Sequence, residues 1–196
     1  MATQVEICND ALTHLGASTI SALDDNTKQA QRLSLVWAAA RDRLLAKHRW
    51  GFARKQVALA VVSGVEIDGW DYVYAMPSDC LDAREIYKST VDLPPILFTQ
   101  ALSTDRTTRY ILTNEEDAQL VYTARIETAT LYPPPFAAAL AWELADRIAM
   151  PLTADLNLKD YANKQARIAF IEAANADANQ QVSDPARTAD WIADRA

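Results

Sequence analysis

At 196 residues, half of them apolar, the chain has material for one or two compact units with a sizeable core. Its formal charge of −7 argues against a protein that grips nucleic acid by neutralising phosphates. The four glycines stand singly, which leaves no Walker loop, dinucleotide fingerprint or nucleophile elbow, and no apolar run approaches the ~18 residues of a membrane helix. MATQVEICND lacks the basic and apolar regions of a signal peptide, so synthesis and folding in a cytoplasm are expected. Cys8 and Cys80 then read as reduced thiols, not a disulfide.

Thr3 and Glu6 form a capping box, in which the hydroxyl accepts from the N3 amide while the carboxylate reaches back. Val5, Cys8, Ala11, Leu12 and Leu15 recur at helical spacing, and Gly16 closes the helix. Cys8 therefore reads as a small core residue. A longer helix is expected from about Asn26 to His48, with Asp24, Asp25 and Asn26 favouring its start and Arg43, Lys47, His48 and Arg49 its end. Leu33, Trp37, Ala40 and Leu44 make its apolar row, with Ala30 and Val36 beside it.

After Gly51 the pattern changes. QVALAVV, WDYVYAM, ILFT, TRYILT and AQLVYTARI are strand signals, separated by turn-like pieces such as LSTDRTTR and TNEEDA. In WDYVYAM the residues Trp70, Tyr72, Tyr74 and Met76 share the face expected to be buried. Pro77 ends that strand, Ser78 and Asp79 turn the chain by bonding their own backbone, and Cys80 and Leu81 point inward. Pro133, Pro134 and Pro135 suit the first turn of the helix FAAALAWELADRIAM, which is expected to end at Pro151. Ala137, Ala141 and Ala145 form a small-residue strip on it. A last helix, from Asp155 or Leu156 to Ala176, has an alanine-rich side. The polar tail beyond it holds Trp191 and Ile192, which are expected to dock on the chain itself or on a partner.

Catalytic candidates are sparse. A cysteine or serine nucleophile needs a base, and only His14 and His48 are present, both on expected helices. Asp71, Asp79 and Asp82 carry oxygen ligands without a calcium-loop spacing. Asp24 with Asp25, and Glu115 with Glu116, read more simply as a helix start and a turn.

Four segments carry a family resemblance through their order and spacing: LTHLGASTISALDD, ARDRLLAKHRWGFAR, GWDYVYAMPSDCLDAREIY and LYPPPFAAALAWELADRIAMPLTADLNL. Together the chain resembles, to about residue 178, the tail tubular protein A family, the head-to-tail adaptors of short-tailed bacteriophages. The resemblance implies a virion protein assembled in the host cytoplasm. It would form a ring, usually a dodecamer, that joins portal protein to tail nozzle and lets DNA pass without sequence-specific binding. It implies no enzyme activity, and with no cofactor, metal or membrane partner the acidic balance suits a channel that repels phosphates. The alternatives from other classes are a head-completion connector of a long-tailed phage or prophage and a virion-associated hydrolase. The expected fold is α+β: a bundle of about four helices from residues 1–50 and 132–180, an inserted antiparallel β region over 51–131, and a C-terminal tail over 181–196. Trp191 and Ile192 are the candidate partner-binding residues, meeting the portal or a neighbouring subunit.

Overall fold

The structure is a computed structural model that describes residues 2–87 and 94–180. Two helices come first, α1 (Gln4–His14) and α2 (Lys28–Lys47). Six strands follow: β1 (Arg54–Ala58), β2 (Tyr72–Ala75), β3 (Cys80–Ile86), β4 (Phe98–Leu102), β5 (Arg109–Thr113) and β6 (Gln119–Ala124). A short 3-10 turn, Ala129–Leu131, leads into α3 (Pro134–Thr153) and α4 (Leu156–Gln180). The α+β class read from the sequence is the class observed. No helix of the described residues is long and apolar enough to cross a membrane.

The capping box forms as the sequence indicates: the Thr3 amide donates to Glu6 Oε2 at 2.6 Å and the Glu6 amide to Thr3 Oγ1 at 3.2 Å. At the other end Gly16 takes φ +64°. The Ala17 amide reaches Leu12 O at 2.9 Å and the Gly16 amide reaches Thr13 O at 3.0 Å, which is a Schellman ending. The start of α2 differs in detail from expectation. The helix begins at Lys28 where a start near Asn26 was expected, and Thr27 is its cap, accepting from the Ala30 amide. Asp25 instead holds the preceding turn through the Ser21 and Ala22 amides at 2.8 and 2.9 Å.

α3 is the centre of the bundle. The extensive helix–helix contacts all involve it, with α1, α2 and α4 each packed on it. Phe136, Leu140, Leu144 and Ile148 are buried, and so is the alanine strip Ala137, Ala141 and Ala145. Pro134 and Pro135 occupy its first turn, where missing amides cost nothing. Pro151 does not end it. A proline this close to the C-terminus gives up one late backbone bond, and the helix continues to Thr153. Ala154, at φ +53°, then closes it, its amide donating a hydrogen bond to Met150 O at 3.0 Å. α4 buries its alanines, Ala162, Ala166 and Ala173, and leaves Tyr161, Ile168 and Ile171 about half exposed.

The strands make two antiparallel three-stranded sheets, ordered β1-β6-β3 and β2-β5-β4. Their inner faces share one core: Tyr74 and Ile111 from one sheet meet Cys80, Ala83, Ile86, Leu120 and Tyr122 from the other. The second sheet is covered outside as well, since Val73 and Leu112 lie under Val62, Val65, Ile67 and Trp70. The expected buried row of β2 is therefore corrected. Only Tyr74 of the four is fully buried, and Trp70 packs on the opposite side with Val73.

Leu140 is fully buried in the helix that every other helix touches. Leu140→Ala is expected to lower the unfolding free energy by ~2–5 kcal/mol, read from the urea midpoint at unchanged slope.

Candidate functional site

The residues that the sequence offers for catalysis are not brought together. Cys8 is fully enclosed in the bundle and burial pushes its thiol up to about 12. Cys80 sits in the core between the sheets, where burial pushes its thiol up to about 11 despite the opposing charge of Arg109. A nucleophilic thiol needs the reverse shift. His14 stacks flat on Trp142, with ring centroids 3.7 Å apart, and burial lowers its pKa against the pull of Asp10. His48 Nε2 lies 3.2 Å from Asp177 Oδ2. Among the described residues no hydrogen bond joins either thiol to a histidine.

The three aspartates form no metal site, although Asp79 and Asp82 both flank Cys80. The Asp71 amide donates to Asn114 Oδ1 at 2.9 Å. Asp79 accepts from Lys55 Nζ at 2.7 Å and from the Tyr122 hydroxyl at 2.8 Å. Among the described residues no group of three His, Cys, Asp or Glu is placed to hold a metal ion. The turn of PSDC closes through the Cys80 amide and Pro77 O at 3.0 Å, and the Asp79 side chain also spans to Lys55 on β1 and Tyr122 on β6. The segment joins the two sheets, since β2 belongs to one and β3 to the other.

A second set of contacts joins the β region to the bundle. Asp42 on α2 accepts from Arg41 Nε at 2.8 Å and Arg125 Nε at 2.9 Å. Arg84 on β3 donates to Trp50 O at 2.7 Å and to Thr123 Oγ1 at 3.0 Å. Asp177, near the end of α4, accepts from the Gly51 amide at 2.9 Å. Trp50 fills the joint: it donates to Leu44 O at 2.9 Å and meets Phe136 edge-on at 5.0 Å. Sequence reasoning marked HRWGFA but missed Asp42, Arg84, Arg125 and Asp177, whose long-range partners lie 34 to 129 positions away.

The remaining candidates are surfaces. One is the outer face of α4 with Tyr161, Ile168 and Ile171. Another is an open groove of about 460 Å³ at the outer end of the second sheet, lined by Trp70, Ile96, Leu97 and Glu115 among others. Trp191 and Ile192, the candidate partner-binding pair, lie outside the described residues. No protein-family model matches the chain, and no curated protein matches it.

Burial pulls the Asp79 pKa up, but the hydrogen bonds from Lys55 and Tyr122 prevail and hold it below the ordinary carboxylate value. Such a group stabilises the fold above its unfolded-state pKa and loses that contribution as pH falls through its lower folded-state pKa. Asp79→Asn is expected to cost ~1 kcal/mol at neutral pH, with the gap to wild type closing in acid, measured by urea unfolding at both pH values. Both thiols are expected to resist an aromatic disulfide reagent in the native protein at mildly alkaline pH and to react on denaturation.

Proposed function

We propose that the chain is a head-to-tail adaptor of a short-tailed bacteriophage, a structural protein that forms a ring, usually a dodecamer, between portal and tail nozzle. The observation that carries this reading is the order of elements. Two helices, a β region and two further helices follow one another, as the resemblance of the four sequence segments implies for that family. The segments fall at structurally telling places. HRWG is the exit of α2 into the joint, PSDC is the turn between sheets, and PPPF is the start of α3.

The surfaces suit assembly. Tyr161, Ile168 and Ile171 follow one another at spacings of seven and three along α4, so they share a face. An apolar helix face left half open is a contact surface in want of a partner. A ring is built from heterologous contacts, so such a face on one copy meets a different face on the next. In this reading the chain does no chemistry. DNA passes through the lumen, and the net negative charge keeps phosphates from adhering to it.

The test is assembly on the cognate portal, followed by electron microscopy. Wild-type chain is expected to add a ring beneath the portal, and failure to assemble overturns the proposal. Ile168→Asp with Ile171→Asp is expected to prevent the ring while changing thermal unfolding little, because both side chains are already half in water. Removal of residues 183–196, or Trp191→Ala with Ile192→Ala, is expected to weaken portal binding. Unchanged binding would reject the role given to that pair.

A further inference from the structure

The acids of this chain are unevenly placed. Glu66, Asp68 and Asp71 lie in the segment before β2, and Glu115, Glu116 and Asp117 lie in the loop after β5. All six are exposed. The two segments meet at one edge, because Tyr72 pairs with Thr113 and the Asp71 amide donates to Asn114 Oδ1. Their charges are felt locally: the Tyr72 phenol is pushed up from its usual value, first by Glu116 and also by Asp71 and Asp117. No lysine or arginine occurs in residues 56–83 or 110–124 to offset them. This edge is remote from the bundle. β6 runs from Gln119 beside the acidic loop to Ala124, whose amide bonds Ala53 O next to the α2 exit.

An apolar groove opens within this acidic edge. Trp70, Ile96 and Leu97 line it together with Asn114 and Glu115, and Leu97 is 79% exposed. Glu115 lines the groove, the other five acids stand close by in the two segments, and among the described residues Leu97 belongs to no packed core. The occupants can be narrowed by charge. Nucleic acid is repelled. A second copy presenting the same edge is repelled as well. A bound cation has no cluster of three ligands among the described residues.

We infer that this groove is a docking site for a protein segment that carries lysines or arginines around one or two apolar side chains. The carboxylates would attract the segment and set its orientation, while Trp70, Ile96 and Leu97 would hold its apolar residue. The inference concerns the single chain and does not depend on ring formation.

Isotope-labelled full-length chain would be titrated with a synthetic peptide of alternating lysine and serine around a central pair of leucines, followed by amide chemical shifts. Two control peptides replace the leucines with serine or the lysines with glutamate. Shifts are expected at residues 66–71, 96–97 and 114–117, with affinity falling ~10-fold from low to physiological salt. Glu115→Gln with Glu116→Gln and Asp117→Asn should abolish binding, and Leu97→Ser should weaken it several-fold at unchanged charge. Circular dichroism melts of both variants confirm that they fold. Absence of binding, equal binding of the leucine-free peptide, shifts elsewhere, or unaltered binding to the triple variant overturns the inference. So do groove shifts produced by calcium or magnesium alone, or by concentrating the protein, which would assign the groove to a cation or a second copy.

Discussion

α3 must be apolar nearly all round because three helices and an aromatic cluster close on it. Ten of its twenty residues are buried, and they spread over more than one face: Phe136, Leu140, Leu144 and Ile148 on a ridge, alanines beside it. Small side chains on both α3 and α4 allow the two axes to approach closely, so their contact is made by shape as well as by area. The one charged residue buried on α3, Glu143, is held by Arg147 Nε at 3.0 Å. Arg43 Nε lies 3.8 Å from the same carboxylate, so two cations from different helices attend it. The rest of the bundle is arranged to serve this helix: caps fix where α1 and α2 begin, and the triple proline fixes where α3 begins.

The β region depends on the bundle through a narrow joint. Trp50 is the physical link, since its ring packs on Phe136 while its carbonyl accepts from Arg84 on β3. Phe52 and Tyr132 continue the aromatic packing, with Phe52 and Phe136 centroids 5.0 Å apart. Such rings place large apolar area at a chain crossing while their polar atoms find carbonyl partners, as Trp50 does with Leu44 O. Asp42 and Asp177 add charged acceptors from two different helices. The orientation of the sheets on the bundle is thus fixed by several independent contacts.

Much of this was legible in the sequence, and the failures have physical causes. Helices declared themselves through caps and periodicity: Thr3, Glu6 and Gly16 all act as their types predict. β3 did not declare itself. Its buried residues are Cys80, Ala83 and Ile86, spaced by three, because register shifts on either side of Asp82 and Ala83 break the two-residue alternation. QVALAVV reads as one strand but serves two sheets. Val57 pairs with Leu120, while Val61 bridges Tyr74 in the other sheet. Trp70 follows a turn, bridged to Ile67, so alternation along WDYVYAM does not apply to it. Of the candidate site, the absence of clustered motifs was readable, whereas the acidic edge was not. Its two loops are separated by more than forty positions and meet only through the pairing of β2 with β5.

The uneven charge follows from the same architecture. Cations in this chain are drawn to places where a geometry must be fixed: Arg41 and Arg125 on Asp42, Lys55 on Asp79, Arg147 on Glu143, Lys159 on Asp146 at 2.6 Å. A half-buried ion pair returns little net energy after desolvation, but it disfavours alternative packings in which either charge would be left alone. Several cations are thus held in ion pairs within the bundle, at the joint and on β1, while the carboxylates of the two acidic segments stand where water can solvate them. The outer edge of the second sheet is such a place. An acidic surface next to an exposed leucine then has a physical consequence that its parts lack singly. It attracts a cation over a distance, yet keeps only a cation that brings an apolar side chain with it.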